Sequence, residues 1–365
     1  MKKKIDYIDG IKGIGCLMVM LGHFYCIYSL AESFVPMPKL PDRIMKLFSF
    51  FLDPDLGLFI FALLSGFCIA ISKIETIWKL IQVIVKRFLR FVIPVLGANL
   101  IIYFIYQTIG FHNADTVTLF ANKWFQGYYQ TDMWFGLAVR DSVATVLGAG
   151  AKFNPPFWVI RYFFYSSVIV YVGNYLESKM PDKFKYLLYV AELLLASYLF
   201  STNGFAIVLG AIWYKEQENG ILVRMANNRI LIGASVVCFV LLSGGAVWLS
   251  SLLGNEWFSN AWAQVLYAAV ILFTIGKTEA LKKVFSNHGL VQFSKLSFGI
   301  YALHWPIICS VSSLLFLMVD FNVVSYFGIG IITIVIVLLL AVVYHFTVEL
   351  FCNLFLKVLS EKKIL

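Results

Sequence analysis

Three histidines stand at spacings that place them deep inside apolar segments. In KGIGCLMVMLGH, residues 12 to 23, Lys12 and His23 bracket a run of mostly apolar or small residues. Eleven helical steps advance about 16.5 Å and turn about 1100°, so the two side chains share one helix face. With Lys12 at a membrane boundary, His23 falls near the middle of a hydrocarbon core about 30 Å thick. His304 lies about 13.5 Å past Lys295 on the same arithmetic, and Pro306 removes the helix bond that the Ala302 carbonyl would otherwise accept. His345 lies about 18 Å before Lys357, with Glu349 one helical turn closer to the boundary. An ionisable side chain at such depth is costly and normally faces a bundle interior or a polar cavity. A structural reading makes each a histidine hydrogen-bonded between helices; a functional one makes His23 a general base, since imidazole titrates near neutral pH. Three such residues on three segments suggest one polar centre.

The segment KRFLR, residues 86 to 90, supplies a second chemistry. Arg87 and Arg90 stand about 60° apart around a helix, and paired guanidinium groups are suited to gripping phosphate in bidentate fashion. Anchoring at the inner membrane surface would also place basic residues here. With Lys12 they could hold a nucleotide-like donor at that surface while its reactive end projects toward His23. No metal is expected, because no two histidines have i, i+4 spacing and few carboxylates lie at that depth. His112 and His288 sit in loops and nothing marks them out.

The elements that must carry these residues are membrane helices. Of the 365 residues 61% are hydrophobic and only 13% charged, with a mean hydropathy of +0.84, against about 25% charged in an ordinary soluble domain. The hydropathy predicts an all-α bundle of about ten spans, at residues 10 to 30, 56 to 72, 91 to 109, 157 to 177, 186 to 201, 203 to 214, 230 to 251, 261 to 276, 296 to 319 and 323 to 356. The sixth is short for a full crossing. With both termini in the cytoplasm, most Lys and Arg residues fall inside. Outside lie Lys39, Arg43, Lys46, Lys123, Arg140 and Lys152, and Arg161 is within a span.

The net charge of +9 is thereby a topology signal, and no nucleic-acid partner is expected. Cys16, Cys26, Cys68, Cys238, Cys309 and Cys352 all fall in predicted spans and form neither a disulfide framework nor a metal spacing. The first apolar segment is long, lacks a clear cleavage site, and reads as a retained span. Residues 1–365 read as one integral-membrane domain, with no soluble domain expected beside it. The largest outer loop, about 110 to 156, carries Trp124, Phe125, Tyr128, Tyr129, Trp134 and Phe135. These suit an interfacial aromatic belt or a platform on which sugar rings stack.

The chain resembles the membrane-bound acyltransferase family 3, whose members typically O-acylate surface polysaccharides and related glycans. The resemblance runs from YIDGIKGIGCLMVMLGH (7 to 23) through FIFALLSGF (59 to 67), KRFLRFVIP (86 to 94), PPFWVIRYFF (155 to 164) and SFGIYALHWPI (297 to 307) to YHFTVEL (344 to 350). It implies a ten-helix core that takes an acyl group from cytoplasmic acyl-CoA to a hydroxyl at the outer side. On the matching positions it implies a transfer role for His23, the histidine of an Arg-x10-His motif, and a donor role for Arg87 and Arg90. Ser65, Gly66 and Phe67 match the family's Ser-Gly-Phe tripeptide, where small residues let helices or a thin acyl arm approach closely. Tyr301, His304 and Pro306 fit its ninth-span pattern, and Glu349 a glutamate of its last span. The sequence departs from the pattern at Lys12, where the family usually has arginine, so the charge survives without the planar fork. WVIRYF, 158 to 163, lacks a glutamate that many members carry near Trp158 and has Arg161 there instead. Arg161 either reaches the interface along its stem or binds an anionic acceptor.

The expectation is therefore a membrane O-acyltransferase. Acetyl-CoA, or a succinyl or longer acyl-CoA, is co-substrate on Lys12, Arg87, Arg90, Ser65 and Gly66, and His23 is base or acyl relay. Tyr301, His304, His345 and Glu349 form the polar intramembrane centre. Trp158, Arg161, Trp124 and Trp134 face a cell-surface glycan or lipid-linked sugar. Membrane lipids are the remaining expected partners, the oligomeric state is open, and the resemblance implies a bacterial cytoplasmic membrane. The competing class is a proton-coupled transporter or flippase, in which the histidines and Glu349 form a proton relay; no half-to-half repeat of the transporter kind is evident.

Overall fold

The computed structural model describes residues 6–28, 52–219, 232–237 and 260–361, whose regular structure is all helical, with no strand among them. The long elements are α1 (Asp6–Ile27), α2 (Pro54–Ile69), α3 (Ile77–Thr108), α4 (Phe135–Leu147), α5 (Ile160–Glu177) and α6 (Lys185–Asn219). They are followed by α7 (Ala261–Lys277), α8 (Glu279–Phe285), α9 (His288–Phe293), α10 (Ser297–Ile307), α11 (Ser313–Met318), α12 (Val323–Tyr344) and α13 (Leu350–Glu361). Single π-helical turns at Ile308–Ser312 and His345–Glu349 join α10 to α11 and α12 to α13.

Local chemistry sets several boundaries. Asp53 caps α2, its Oδ1 accepting from the Asp55 and Leu56 amides at 3.0 Å, and Pro54 occupies the first turn, where it costs no bond. Asn322 and Ser325 form a reciprocal capping box on α12. Gly148, at φ 89°, ends α4 in the left-handed region that a side chain would resist.

α2 is the central helix, packed against α1, α5, α6 and α7. Its crossing with α6 is backbone to backbone. A Cβ on Gly66 would meet the Ile207 carbonyl oxygen at 1.7 Å, and one on Gly210 would meet that of Leu63 at 2.0 Å. α10 lies between α1 and α12, and α3 packs on α4 and α5.

Helices occupy the segments expected for the first to sixth and eighth to tenth spans. Among the described residues five helices are long and apolar enough to cross a membrane, and a sixth if α7 and α8, bent by 100°, are one span. Three features keep other expected segments out of that group. α2, at 16 residues, is short of the roughly 20 needed; α5 carries Arg161, Asn174 and Glu177; and the fifth and sixth segments are the two helical halves of α6, which meet at a kink at Ser201 with φ 52°. The expected span 230 to 251 lies largely outside the described residues, as does Cys238; Cys16, Cys68, Cys309 and Cys352 are free thiols.

Candidate active site

His23 and His304 meet. α1 and α10 are held in register by the Cys16 thiol donating to the Ser297 carbonyl at 3.0 Å, and by Tyr28, whose hydroxyl donates to the Ile308 carbonyl at 2.7 Å. This register sets His23 Nδ1 2.9 Å from His304 Nε2, with the rings within 6° of parallel. His304 is fully buried, and its Nδ1 lies 3.1 Å from the Ile300 carbonyl oxygen. A carbonyl only accepts, so in the neutral pair His304 carries its proton on Nδ1 and offers a lone pair at Nε2. His23 must then donate from Nδ1, which leaves its own Nε2 as an unprotonated lone pair. No protein group bonds that nitrogen among the described residues.

The helix carrying His304 is shaped by its proline. Pro306 has no N–H for the Ala302 carbonyl, and the Asn154 amide donates to that oxygen instead, at 2.7 Å. The Tyr301 hydroxyl donates to the Pro156 carbonyl. These two bonds dock the 3-10 turn Pro155–Val159 onto α10 and bring Trp158 to the same side of the site as His23.

His23 opens onto a cavity of about 400 Å³ between α1, α2, α10 and the start of α5. Lys12, Tyr301, Trp158 and Glu349 also line it, together with Val19, Leu58, Phe61, Phe91, Phe163 and Phe298. It extends from Lys12 past His23 to Pro54 and Trp158, the length of more than three turns of α1. An apolar channel with a few convergent polar groups is the usual form of a small-ligand site.

The other expected residues lie elsewhere. Arg87 is behind the wall: its Nε donates to Ser167 Oγ at 3.0 Å and its Nη2 to Ser65 Oγ at 2.9 Å, and its Cζ lies 4.5 Å over the ring of the cavity residue Phe91. Arg90 is exposed and Gly66 is at the α2–α6 crossing, both outside the cavity wall. His345 makes no ring contact or hydrogen bond with His23 or His304 and instead bonds Glu349, Nδ1 to Oε2, at 2.5 Å. Arg161 donates to the Gly148 carbonyl and stacks on Tyr162, which in turn meets Trp158. Trp124 and Tyr128 each meet Trp305, at 5.3 and 5.2 Å between ring centres, and Trp305 stands edge-on to His23 at 5.4 Å. Trp134 precedes α4, exposed and without a ring contact to Trp124.

Sequence reasoning passed over Asn154, Trp305, and the cavity residues Asp55 and Lys295. The proline at 306 was the available signal for Asn154, since an orphaned mid-span carbonyl needs a donor from somewhere.

The acyltransferase domain family of type 3 matches residues 5–343, nearly the whole chain. The protein belongs to that family. Comparisons with curated proteins and with solved structures return no match. This family 3 acyltransferase is a multi-pass membrane protein, and His23 lines its cavity between α1 and α10. A basic nitrogen with a buried partner fixing its tautomer is the arrangement that proton removal from a hydroxyl requires.

Proposed function

We propose that the protein moves an acyl group, acetyl first among the candidates, from cytoplasmic acyl-CoA to a hydroxyl of a cell-surface glycan or its lipid-linked precursor. In this reading it sits in a bacterial cytoplasmic membrane with the Lys12 end of the cavity inward. The donor's phosphates lie near Lys12 with Arg87 and Arg90 on that side, and the thioester reaches His23. The glycan hydroxyl enters past Trp158, with Arg161, Trp124 and Trp134 on the acceptor side. His23 Nε2 takes the hydroxyl proton as the oxygen attacks the thioester carbonyl; the C–S bond breaks, and the departing thiolate takes the proton from the imidazolium. In a two-step variant Nε2 itself carries the acyl group first, a route that leaves acid-labile label on the enzyme.

The observation that carries this reading is the chain from His23 through His304 to the Ile300 carbonyl, aimed at a cavity. The test is acyl-CoA consumption in liposomes, with acetyl-CoA on one face and mixed glycans on the other, for wild type and His23→Ala. Acceptor-stimulated turnover lost in the variant supports the reading. Folded wild-type protein that neither binds nor consumes any acyl-CoA, and instead moves a sugar in response to a pH gradient, would make it a transporter.

A further inference from the structure

We propose that Lys295, together with Lys12, takes the phosphates of the donor, an assignment that rests on the thioester reading above and names the residues of its anionic end. Both lysines line the same end of the cavity. The helices that carry them are in contact there: a Cβ on Gly13, next to Lys12, would stand 3.0 Å from the Phe293 ring and 3.6 Å from Ser294 Cα. The Cys16 bond to Ser297 holds the next turn.

Their partners differ in a telling way. Lys12 makes an i, i+3 ion pair with Asp9 at 3.2 Å, partly buried, and its Nζ lies 3.6 Å from Cys68 Sγ. Lys295 is exposed at the mouth, with no ion pair or side-chain hydrogen bond among the described residues. Arg87, by contrast, has its guanidinium engaged by Ser65 and Ser167 and covered by Phe91. A ligand in the cavity meets the two ammonium groups first and would reach Arg87 only by displacing an aromatic wall. Glu349, one of the two carboxylates of the lining with Asp55, is occupied by His345.

The dimensions name the ligand's chemistry. Lys12 and His23 are about 16.5 Å apart along α1, and Val19, Phe61, Phe91 and Phe298 line the same cavity. The matching molecule has a polyphosphate head for the lysines, a long thin arm for the apolar stretch, and a thioester for the imidazole. Lysine acts on phosphate as a point charge, so two flexible ammonium groups suit a head with several phosphates.

Equilibrium binding to the full-length protein in detergent separates head from arm. The probes are coenzyme A and pantetheine, which keeps the arm and thiol without the nucleotide phosphates. Lys295→Gln is expected to weaken coenzyme A by ~10-fold, the loss typical of one charge-assisted contact, leave pantetheine unchanged, and flatten the salt dependence. Lys295→Arg should restore most of the affinity. Equal coenzyme A affinity in wild type and Lys295→Gln overturns the assignment while leaving the donor reading intact, as does a variant that weakens both probes alike. Selective loss of the phosphate-dependent increment in Arg87→Gln, and not in Lys295→Gln, overturns it in favour of the arginine. Wild-type protein with no affinity for coenzyme A removes both this assignment and the donor reading.

Discussion

At the scale of single residues the site is a problem of one proton and one lone pair. An imidazole in an apolar cavity is useful as a base only if its free nitrogen points at the substrate, and solvent does not decide the tautomer there. His304 decides it, because its own Nδ1–H is committed to the Ile300 carbonyl. His304→Ala should therefore lower kcat by ~100-fold or more, on the scale of a lost positioned base, while KM for the donor stays within about twofold. His304→Gln keeps a carbonyl oxygen that can accept from His23 Nδ1 and should recover part of the rate. Steady-state kinetics on the three proteins check this; a shared loss in Gln and Ala, with a raised donor KM, would mean that His304 only shapes the cavity.

Helices rather than residues determine which groups can meet. The α2–α6 crossing depends on Gly66 and Gly210, where an added methyl would collide with main-chain carbonyls that have no rotamer to move away. Gly66→Ala and Gly210→Ala should each cost about 1–3 kcal/mol from overpacking, read as a lower unfolding temperature and a smaller monodisperse fraction. Gly328→Ala on α12, with nothing within 4 Å, should match wild type. Equal stability of all three would show that this crossing is looser than its backbone contacts imply. The same scale explains what could be read in advance. Depth along a helix follows from rise per residue, so the placing of His23 and His304 at similar depth, and the break between 201 and 203, were legible. Pairing depends on rotation about each helix axis and on which neighbour lies alongside, neither of which is local. Hence His345 bonds Glu349 on its own turn, and Arg87 finds Ser65 of the Ser-Gly-Phe tripeptide together with Ser167, which no motif marks. The proline at 306 announced an orphaned carbonyl, yet Asn154, 148 residues away, answers it.

For the whole molecule the distinctive feature is a cavity with a lysine end and a tryptophan end. If it spans the membrane, the ends face opposite compartments. In a background lacking Cys16, Cys26, Cys68, Cys238, Cys309 and Cys352, single cysteines at Ser294 and at Trp158 should react with an impermeant maleimide from opposite sides of sealed vesicles. Labelling of both from one side would place the two mouths in the same compartment and exclude transfer across the bilayer. Such a passage must also stay closed to ions, and its walls of Phe61, Phe91, Phe163 and Phe298 offer a water column few hydrogen bonds.

The bond between His23 and His304 joins residues 281 apart in the chain, and so do the contacts that align it, Cys16 with Ser297 and Tyr28 with Ile308, at 281 and 280. On a ribosome adding 5–20 residues per second, roughly 15–60 s pass between synthesis of the first histidine and of its partner. Through that interval α1 already lies in the nascent protein while its imidazole has no fixed tautomer and the cavity has no α10 wall. The enzyme is thus timed by its own topology: the His23–His304 pair cannot form on a half-made chain, and the cavity is walled only when the helices that enclose it have arrived.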